Sequence, residues 1–148
     1  MTLLELSISD AARPYVDGID VEALYEKAVA ARECAYAPYS GFRVGAALLT
    51  SGGHVVTGAN VENASYGLTI CAERASVVRA VAEGHAEFIA ITIAGDTDRV
   101  HTVASCGACL QVLAEFDAGD RLLVVFPEGS ALRVALLHDL LPVRFRLH

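Results

Sequence analysis

Three cysteines and one glutamate have the residue types and spacing of a metal site with a proton carrier beside it. Cys71 and Glu73 lie two residues apart, and Cys106 and Cys109 form a Cys-x-x-Cys pair 35 residues after Cys71. Zinc prefers four tetrahedral ligands, and a catalytic zinc site takes three from the protein and leaves the fourth position to water. The pattern therefore predicts an open three-thiolate zinc site, with Glu73 placed to reach the bound water rather than the ion.

The helices predicted around these residues support this interpretation. Residues three apart share a helix face, so a Cys-x-x-Cys pair in a first helical turn can direct two thiolates at one ion. Cys71 begins a second predicted helix. A helix N-terminus carries unpaired amide donors and partial positive charge, which stabilise thiolates.

Each residue also has a simpler interpretation. A Cys-x-x-Cys pair alone could be a redox dithiol or half of a structural zinc clip, Cys71 alone a small buried apolar residue, and Glu73 alone a solvated carboxylate. The combination favours catalytic zinc. Cys34 has no partner at ligand spacing and falls in an apolar helical stretch, so we predict that it belongs to the core. No histidine is assigned to the metal, since all five are scattered: His54, His85, His101, His138 and His148.

Composition limits the partners of the chain. Its 148 residues, 54% of them hydrophobic, are enough for one domain whose core needs no disulfides. A net charge of -7 disfavours nucleic acid, which is bound through basic patches, and fits a small neutral substrate. The N-terminus has neither a basic start nor a long apolar run, so we expect no signal peptide, no membrane span and a cytoplasmic location. In that reducing compartment, closely spaced cysteines indicate metal binding or catalysis more often than a disulfide.

Hydrophobic periodicity and turn residues predict alternating strands and helices. Asp20 is expected to cap a first helix that ends before Pro38. Residues 42–50 and 54–59 are predicted to form an antiparallel hairpin. The other predicted elements are a helix over 71–83 stopped by Gly84, a strand over 88–94, a helix over 106–116 capped by Ser105, a strand over 122–126, and a final short strand and helix. The alternation predicts a mixed α/β fold with helices on both faces of a sheet.

Longer blocks of the sequence resemble the zinc-dependent cytidine deaminase superfamily. Besides Cys-Ala-Glu and Cys-x-x-Cys, the similar blocks are APYSGFRVGAAL at 37–48, NVENASYGLTICAER at 60–74, GAC and QVL within 107–113, and LLP at 140–142 followed by Phe145. They are similar to the small type that acts on free nucleosides and has cysteine as first ligand. The resemblance implies a three-layer α/β fold with a five-stranded mixed sheet and helices on both faces. It also implies one deaminase domain over 1–148, with 1–16 as a variable extension, and a homotetramer with shared active sites.

The implied reaction is the hydrolytic deamination of cytidine and 2′-deoxycytidine to uridine and 2′-deoxyuridine plus ammonia, in pyrimidine salvage. Such an enzyme is a hydrolase that acts on the C–N bond of a cyclic amidine, with one Zn²⁺ per subunit. Cys71, Cys106 and Cys109 would be the ligands and Glu73 the proton shuttle. Arg74 matches the family's arginine that hydrogen-bonds the ligand sulfurs and draws charge from them.

Substrate contacts follow from the same resemblance. Asn60 and Glu62 match the polar pair that holds the ribose hydroxyls. Phe42 and the backbone of Ala72 match groups beside the base. The residues that match contacts across a subunit interface are Ala64, Tyr66 and Phe145.

The sequence departs from the family pattern at two positions and leaves two alternative functions open. Ser105 stands where the family usually has proline, and Leu110 where it usually has arginine; neither change removes a ligand or Glu73. One alternative is a deaminase of a modified or antibiotic cytosine nucleoside, of the blasticidin type. The other is a thiol redox or structural zinc-binding protein without turnover. The presence of Glu73 argues against a purely structural zinc site, and that of Asn60 and Glu62 favours an ordinary nucleoside.

Overall fold

A six-stranded mixed sheet forms the centre of the fold in the computed structural model, which describes residues 4–147. Its strands are β1 (Glu5–Ile8), β2 (Gly45–Thr50), β3 (Val55–Ala59), β4 (Phe88–Ala94), β5 (Leu123–Glu128) and β6 (Ala131–Leu136). The strand order is β1-β6-β5-β4-β2-β3. β1 pairs in parallel with β6 and β4 with β5, whereas the other neighbours are antiparallel.

Helices cover both faces of the sheet, which confirms the predicted α/β architecture. They are α1 (Val21–Arg32), α2 (Ala72–Ala82), α3 (Gly107–Ala114) and α4 (Leu137–Leu140), with single 3₁₀ turns at Arg13–Tyr15, Tyr66–Leu68 and Ala118–Asp120. Successive strand residues point to opposite faces. In β2, Leu48 therefore packs with α2, α3 and α4, whereas Ala47 packs with α1. One apolar cluster lies on each face of the sheet, so the sheet is the middle one of three layers.

Of the predicted helix caps and stops at Asp20, Gly84 and Ser105, two are confirmed and one is wrong. Asp20 caps α1, since its Oδ1 accepts a hydrogen bond from the Ala23 amide at 3.0 Å. Gly84 follows the end of α2 with a φ of +93°, which favours glycine. Ser105 does not cap α3: Cys106 occupies the N-cap position, and no side chain makes the capping bond.

The expected five-stranded sheet is wrong, because the N-terminal extension adds a sixth strand. β1 pairs with β6 at the sheet edge, and Leu6 and Ile8 pack on the α1 side with the fully buried Ala12. The family resemblance begins near residue 20, so it could not reveal this strand. The prediction that Cys34 belongs to the core is also wrong: the residue is exposed, because α1 ends at Arg32. His148 lies outside the described residues.

Gly58 in β3 determines how closely α2 approaches the sheet. A Cβ atom at this position would lie 2.5 Å from the Ser76 amide nitrogen and 2.7 Å from the Ala72 carbonyl oxygen. The α2 backbone therefore rests directly on β3, and this contact sets the position of the N-terminus of α2. Over residues 4–147, no helix has the length and apolar character needed to cross a membrane.

Candidate active site

The N-termini of α2 and α3 meet at a cluster of three thiols. Cys71 is the N-cap residue of α2 and Cys106 that of α3, and Cys109 lies in the first turn of α3. Their three Sγ atoms lie within 4.8 Å of one another, with 3.4 Å between Cys106 and Cys109. Cys109 is buried, Cys71 half-buried and Cys106 exposed. The structure thus brings together the three predicted ligands.

The spacing of the cluster fits a zinc ion. Tetrahedral Zn–S bonds of about 2.3 Å place two sulfur ligands about 3.8 Å apart, close to the observed separations. A disulfide would require about 2.05 Å, and all three cysteines are free. Within 4–147, no other group of three or more His, Cys, Asp or Glu side chains brings its donor atoms this close together.

Hydrogen bonding and charge favour thiolate formation at Cys71. The Cys109 thiol and the Arg74 guanidinium lower the pKa of Cys71 to about 5, and Arg74 Nη2 lies 3.4 Å from Cys71 Sγ. The pKa of Cys109 is raised, because its thiol is the donor to Cys71 and is itself buried. Arg74 is therefore positioned to offset the negative charge that would accumulate on sulfur ligands.

Glu73 places a buried carboxyl group beside the thiols. The residue is only 5% exposed, and this burial raises the pKa of its carboxyl group. The Ser105 hydroxyl opposes part of that rise. Ser105 Oγ is buried and makes no hydrogen bond among the described residues. A raised pKa makes a carboxylate a better proton acceptor than an ordinary one and leaves it able to give the proton back.

A cavity of about 320 Å³ opens beside Glu73 and the thiols. Its volume is at the lower end of the range for small-molecule sites. The predicted site residues that line it are Phe42, Asn60, Glu62, Cys71, Ala72, Glu73 and Cys106. Thus two of the three predicted metal ligands, the buried carboxyl group and four of the seven expected substrate contacts line one cavity.

Asn60 holds the backbone next to Phe42. Its Oδ1 accepts from the Val44 amide at 2.8 Å, and its Nδ2 donates to the Phe42 carbonyl at 3.0 Å. The residue is only 8% exposed. Its amide therefore orders one wall of the cavity, and it retains one N–H and one lone pair for a ligand.

Glu62 is held by the turn that precedes Phe42. Its Oε1 accepts from the amides of Tyr39 at 2.9 Å and Ser40 at 3.1 Å, and its Oε2 accepts from Ser40 Oγ at 2.5 Å. The Ser40 hydroxyl is the main reason why the pKa of Glu62 is lowered. Glu62 is therefore an oriented carboxylate that stays ionised at neutral pH. No pattern in the sequence predicts this role of Ser40, although the residue lies in one of the blocks that carry the family resemblance.

The three residues with predicted intersubunit contacts do not line the cavity of this single chain. Ala64 is exposed, and Tyr66 and Phe145 are 75% and 72% exposed. The Phe145 backbone is fixed by the Gln111 amide, which donates to its carbonyl at 3.1 Å and accepts from its N–H at 3.3 Å. The C-terminal segment therefore presents the Phe145 ring outward from an anchored backbone.

A buried ion pair also anchors this segment. Arg144 Nη1 lies 2.8 Å from Asp117 Oδ2, and the two side chains are 2% and 1% exposed. The sequence does not predict this pair, because a single arginine near a chain end has no pattern that indicates burial.

Comparison with known proteins identifies the sequence and the fold. Residues 19–125 match the family model for the cytidine and deoxycytidylate deaminase zinc-binding region. The chain is 45% identical over 127 residues to a cytidine deaminase of Halalkalibacterium halodurans, covering 86% of this chain and 95% of the relative. It is 46% identical over 128 residues to a probable cytidine deaminase of Dictyostelium discoideum, covering 85% and 84%. The crystal structure of a cytidine deaminase from Burkholderia pseudomallei superposes with a TM-score of 0.79 at 48% identity, covering 86% of this chain and all of that one.

Proposed function

The chain belongs to the zinc-dependent cytidine and deoxycytidylate deaminase family, and we propose that it hydrolyses cytidine and 2′-deoxycytidine to uridine and 2′-deoxyuridine plus ammonia. The observation that carries this proposal is the buried Glu73 carboxyl group in a cavity that is also lined by Cys71 and Cys106 of the three-thiol cluster. Hydrolytic deamination requires a nucleophile at neutral pH and a group that moves protons, and this arrangement supplies both.

The cofactor is one Zn²⁺ per chain, and Cys71, Cys106 and Cys109 are the side chains that would hold it. Bound there, the ion would lower the pKa of a coordinated water toward about 7. Arg74 stabilises the thiolate form of Cys71 through its 3.4 Å contact with the sulfur.

Glu73 moves the protons of the reaction. Its carboxylate accepts the proton of the attacking water and passes it to the ring nitrogen next to the carbon that carries the amine. The water oxygen forms the new C–O bond, which makes that carbon tetrahedral. Glu73 then transfers the second water proton to the amine, and the C–N bond breaks to release ammonia. General acid–base catalysis of this kind contributes about 100-fold to 10,000-fold.

The charges that line the cavity favour a free nucleoside over a nucleotide. Its only Asp, Glu, Lys or Arg side chains, over the described residues, are Glu62 and Glu73. Two acidic groups repel a phosphate, and neither Arg nor Lys lines the cavity to bind one. An uncharged sugar fits better, with Glu62 accepting hydrogen bonds from its hydroxyls and the Asn60 amide beside it.

The base would lie between the Phe42 side chain and the N-terminus of α2. Phe42 and Ala72 both line the cavity, and Ala72 is fully buried directly after Cys71. An aromatic ring favours a planar base through stacking. The Ala72 backbone, which directly precedes Glu73, would then face the reacting end of the base.

We also propose a homotetramer with shared active sites. Large apolar side chains are exposed near the cavity and on the C-terminal segment, and they include Tyr66, Leu68, Val143, Phe145 and Leu147. Exposed apolar side chains of this number favour protein–protein contact. Ala64, Tyr66 and Phe145 would then contribute to a neighbouring cavity.

The proposal also includes the domain organisation, the cellular location and the pathway. Residues 1–148 form one deaminase domain, because the N-terminal extension shares the central sheet through β1. The location is cytoplasmic, where a reducing environment keeps four free thiols stable. The pathway is pyrimidine salvage, which a free-nucleoside deaminase serves.

A nucleoside panel tests the substrate assignment. Purified zinc-loaded protein is incubated with cytidine, 2′-deoxycytidine, cytidine 5′-monophosphate and blasticidin S, and products and ammonia are quantified. We expect turnover of the first two and at least about tenfold lower kcat/KM for the monophosphate. Preference for the monophosphate would contradict the charge argument, and preference for blasticidin S would favour the antibiotic-nucleoside alternative.

A further inference from the structure

A surface arginine joins the two walls at the mouth of the cavity. One wall is the segment 95–104, called here the wall loop, of which Val100 and Thr102 line the cavity. Its second half is attached to the sheet, because the Val103 amide donates to the Pro127 carbonyl at 3.0 Å and the Gly129 amide to the His101 carbonyl at 2.8 Å. Its first half therefore depends on other contacts for its position.

Arg99 supplies such a contact. Residues 96–100 form a local turn in which the Arg99 amide donates to the Asp96 carbonyl at 3.2 Å. From this turn, Arg99 Nη1 donates to the Ser40 carbonyl at 3.3 Å, and its Cζ lies 5.8 Å from the centre of the Phe42 ring. The guanidinium thus links the wall loop to the opposite wall by a hydrogen bond and a cation–π contact.

The opposite wall contains the groups proposed to bind the nucleoside. Ser40 and Phe42 line the cavity, and Ser40 orients Glu62 through its amide and its hydroxyl. Arg99 therefore contacts the Phe42 ring directly. It is linked to the Glu62 carboxylate through Ser40, which is hydrogen-bonded to both residues. These contacts lie at the mouth of the cavity and do not include Glu73 or the three thiols.

We propose that Arg99 is a positioning residue for substrate binding: by holding Ser40 and the Phe42 ring, it keeps the nucleoside-binding wall in its binding geometry. The inference rests on the proposed function. Because Arg99 acts on the walls and not on the proton carrier, its loss weakens nucleoside binding and leaves the chemical step intact. A cation–π contact and a hydrogen bond of these kinds together correspond to about fivefold to twentyfold in affinity.

The test compares Arg99→Ala with Arg121→Ala. Arg121 is a matched control, since its Cζ also lies over an aromatic ring, 6.0 Å from the centre of Tyr15, and its loss changes the net charge equally. We expect Arg99→Ala to raise KM for cytidine about fivefold to twentyfold, with kcat within about twofold and zinc content unchanged. The inhibition constant of uridine should rise by the same factor. Arg121→Ala should leave all four quantities at wild-type values.

A double-mutant cycle with Phe42→Leu identifies the route of the effect. If Arg99 acts through the ring, Arg99→Ala should raise KM by a clearly smaller factor in the Phe42→Leu background than in wild type. Equal factors would overturn the part of the proposal that rests on the Phe42 ring. A fall in kcat at constant KM, or an Arg99→Ala variant that behaves like Arg121→Ala, would overturn the whole proposal. A wild-type protein without cytidine turnover would instead refute the proposed function, and with it this inference.

Discussion

Replacing Arg144 by methionine should destabilise the protein strongly, because it leaves a buried carboxylate without its cation. Arg144 and Asp117 are 2% and 1% exposed and lie 2.8 Å apart. Asp117 Oδ1 also accepts from the amides of Arg121 at 2.9 Å and Leu122 at 2.8 Å. The carboxylate would keep these two bonds but lose the only buried positive charge that contacts it among the described residues.

The expected cost can be worked out from this geometry. Removing one partner of a buried ion pair typically costs about 3–5 kcal/mol. The two retained backbone bonds place Arg144→Met near the lower value, about 3 kcal/mol. For a chain of this length, about 1 kcal/mol lowers Tm by roughly 2–4 °C, so Tm should fall by roughly 6–12 °C.

Urea unfolding of zinc-loaded protein measures this loss. The control is Arg146→Met in the same segment, because Arg146 is 54% exposed and pairs with Asp120 at 3.0 Å. An exposed pair of this kind contributes about 0–1 kcal/mol. Arg144→Met should also raise KM for cytidine, since it loosens the segment that presents Phe145. Equal unfolding free energies for the two variants would refute the reasoning.

Three further predictions concern the helix contact, the oriented carboxylate and the metal. Gly58→Ala should push α2 away from β3, since the added Cβ would overlap the Ala72 carbonyl; zinc per chain and unfolding free energy should both fall, and unchanged zinc content would contradict this. Ser40→Ala should raise the pKa of Glu62, whose lowered value depends mainly on the Ser40 hydroxyl. Because carboxylate-dependent binding is lost as pH falls through that pKa, the rise in KM on acidification should begin at higher pH than in wild type, and an identical pH profile would exclude the effect. Chelation should abolish turnover and raise the number of rapidly reacting thiols from one, the exposed Cys34, to three, because it frees Cys106 and the half-buried Cys71 while Cys109 stays buried; three reactive thiols before chelation would argue against a thiolate-bound metal.

The sequence predicts structural features that depend on local patterns better than those that depend on contacts between distant segments. The cap at Asp20, the hairpin of β2 and β3, and the α/β alternation follow from patterns within a few residues, and the structure contains all three. The spacing of the cysteines likewise predicted that two helix starts would meet. These features depend on local backbone preferences and hydrophobic periodicity.

The missed features depend on contacts between distant segments. β1 is four residues long and finds its partner in β6, near the other end of the chain. Ser40 has a role only because the turn at 38–41 folds over Glu62, and the buried Arg144 looks in sequence like any surface arginine. Ser105 was predicted to cap α3, but its hydroxyl lies beside Glu73 instead, because Cys106 takes the N-cap position. In each case a tertiary contact decided the outcome.

The most direct test of the central claim is zinc quantification combined with ultraviolet measurement of cytidine loss, on wild type and Glu73→Gln. Glu73→Gln keeps the volume of the side chain but removes its ability to carry a proton. We predict one zinc per chain in both proteins, rapid cytidine loss in wild type, and a rate at least about 100-fold lower in the variant. Near-normal turnover by zinc-loaded Glu73→Gln, or metal-free and inactive wild-type protein, would contradict the account.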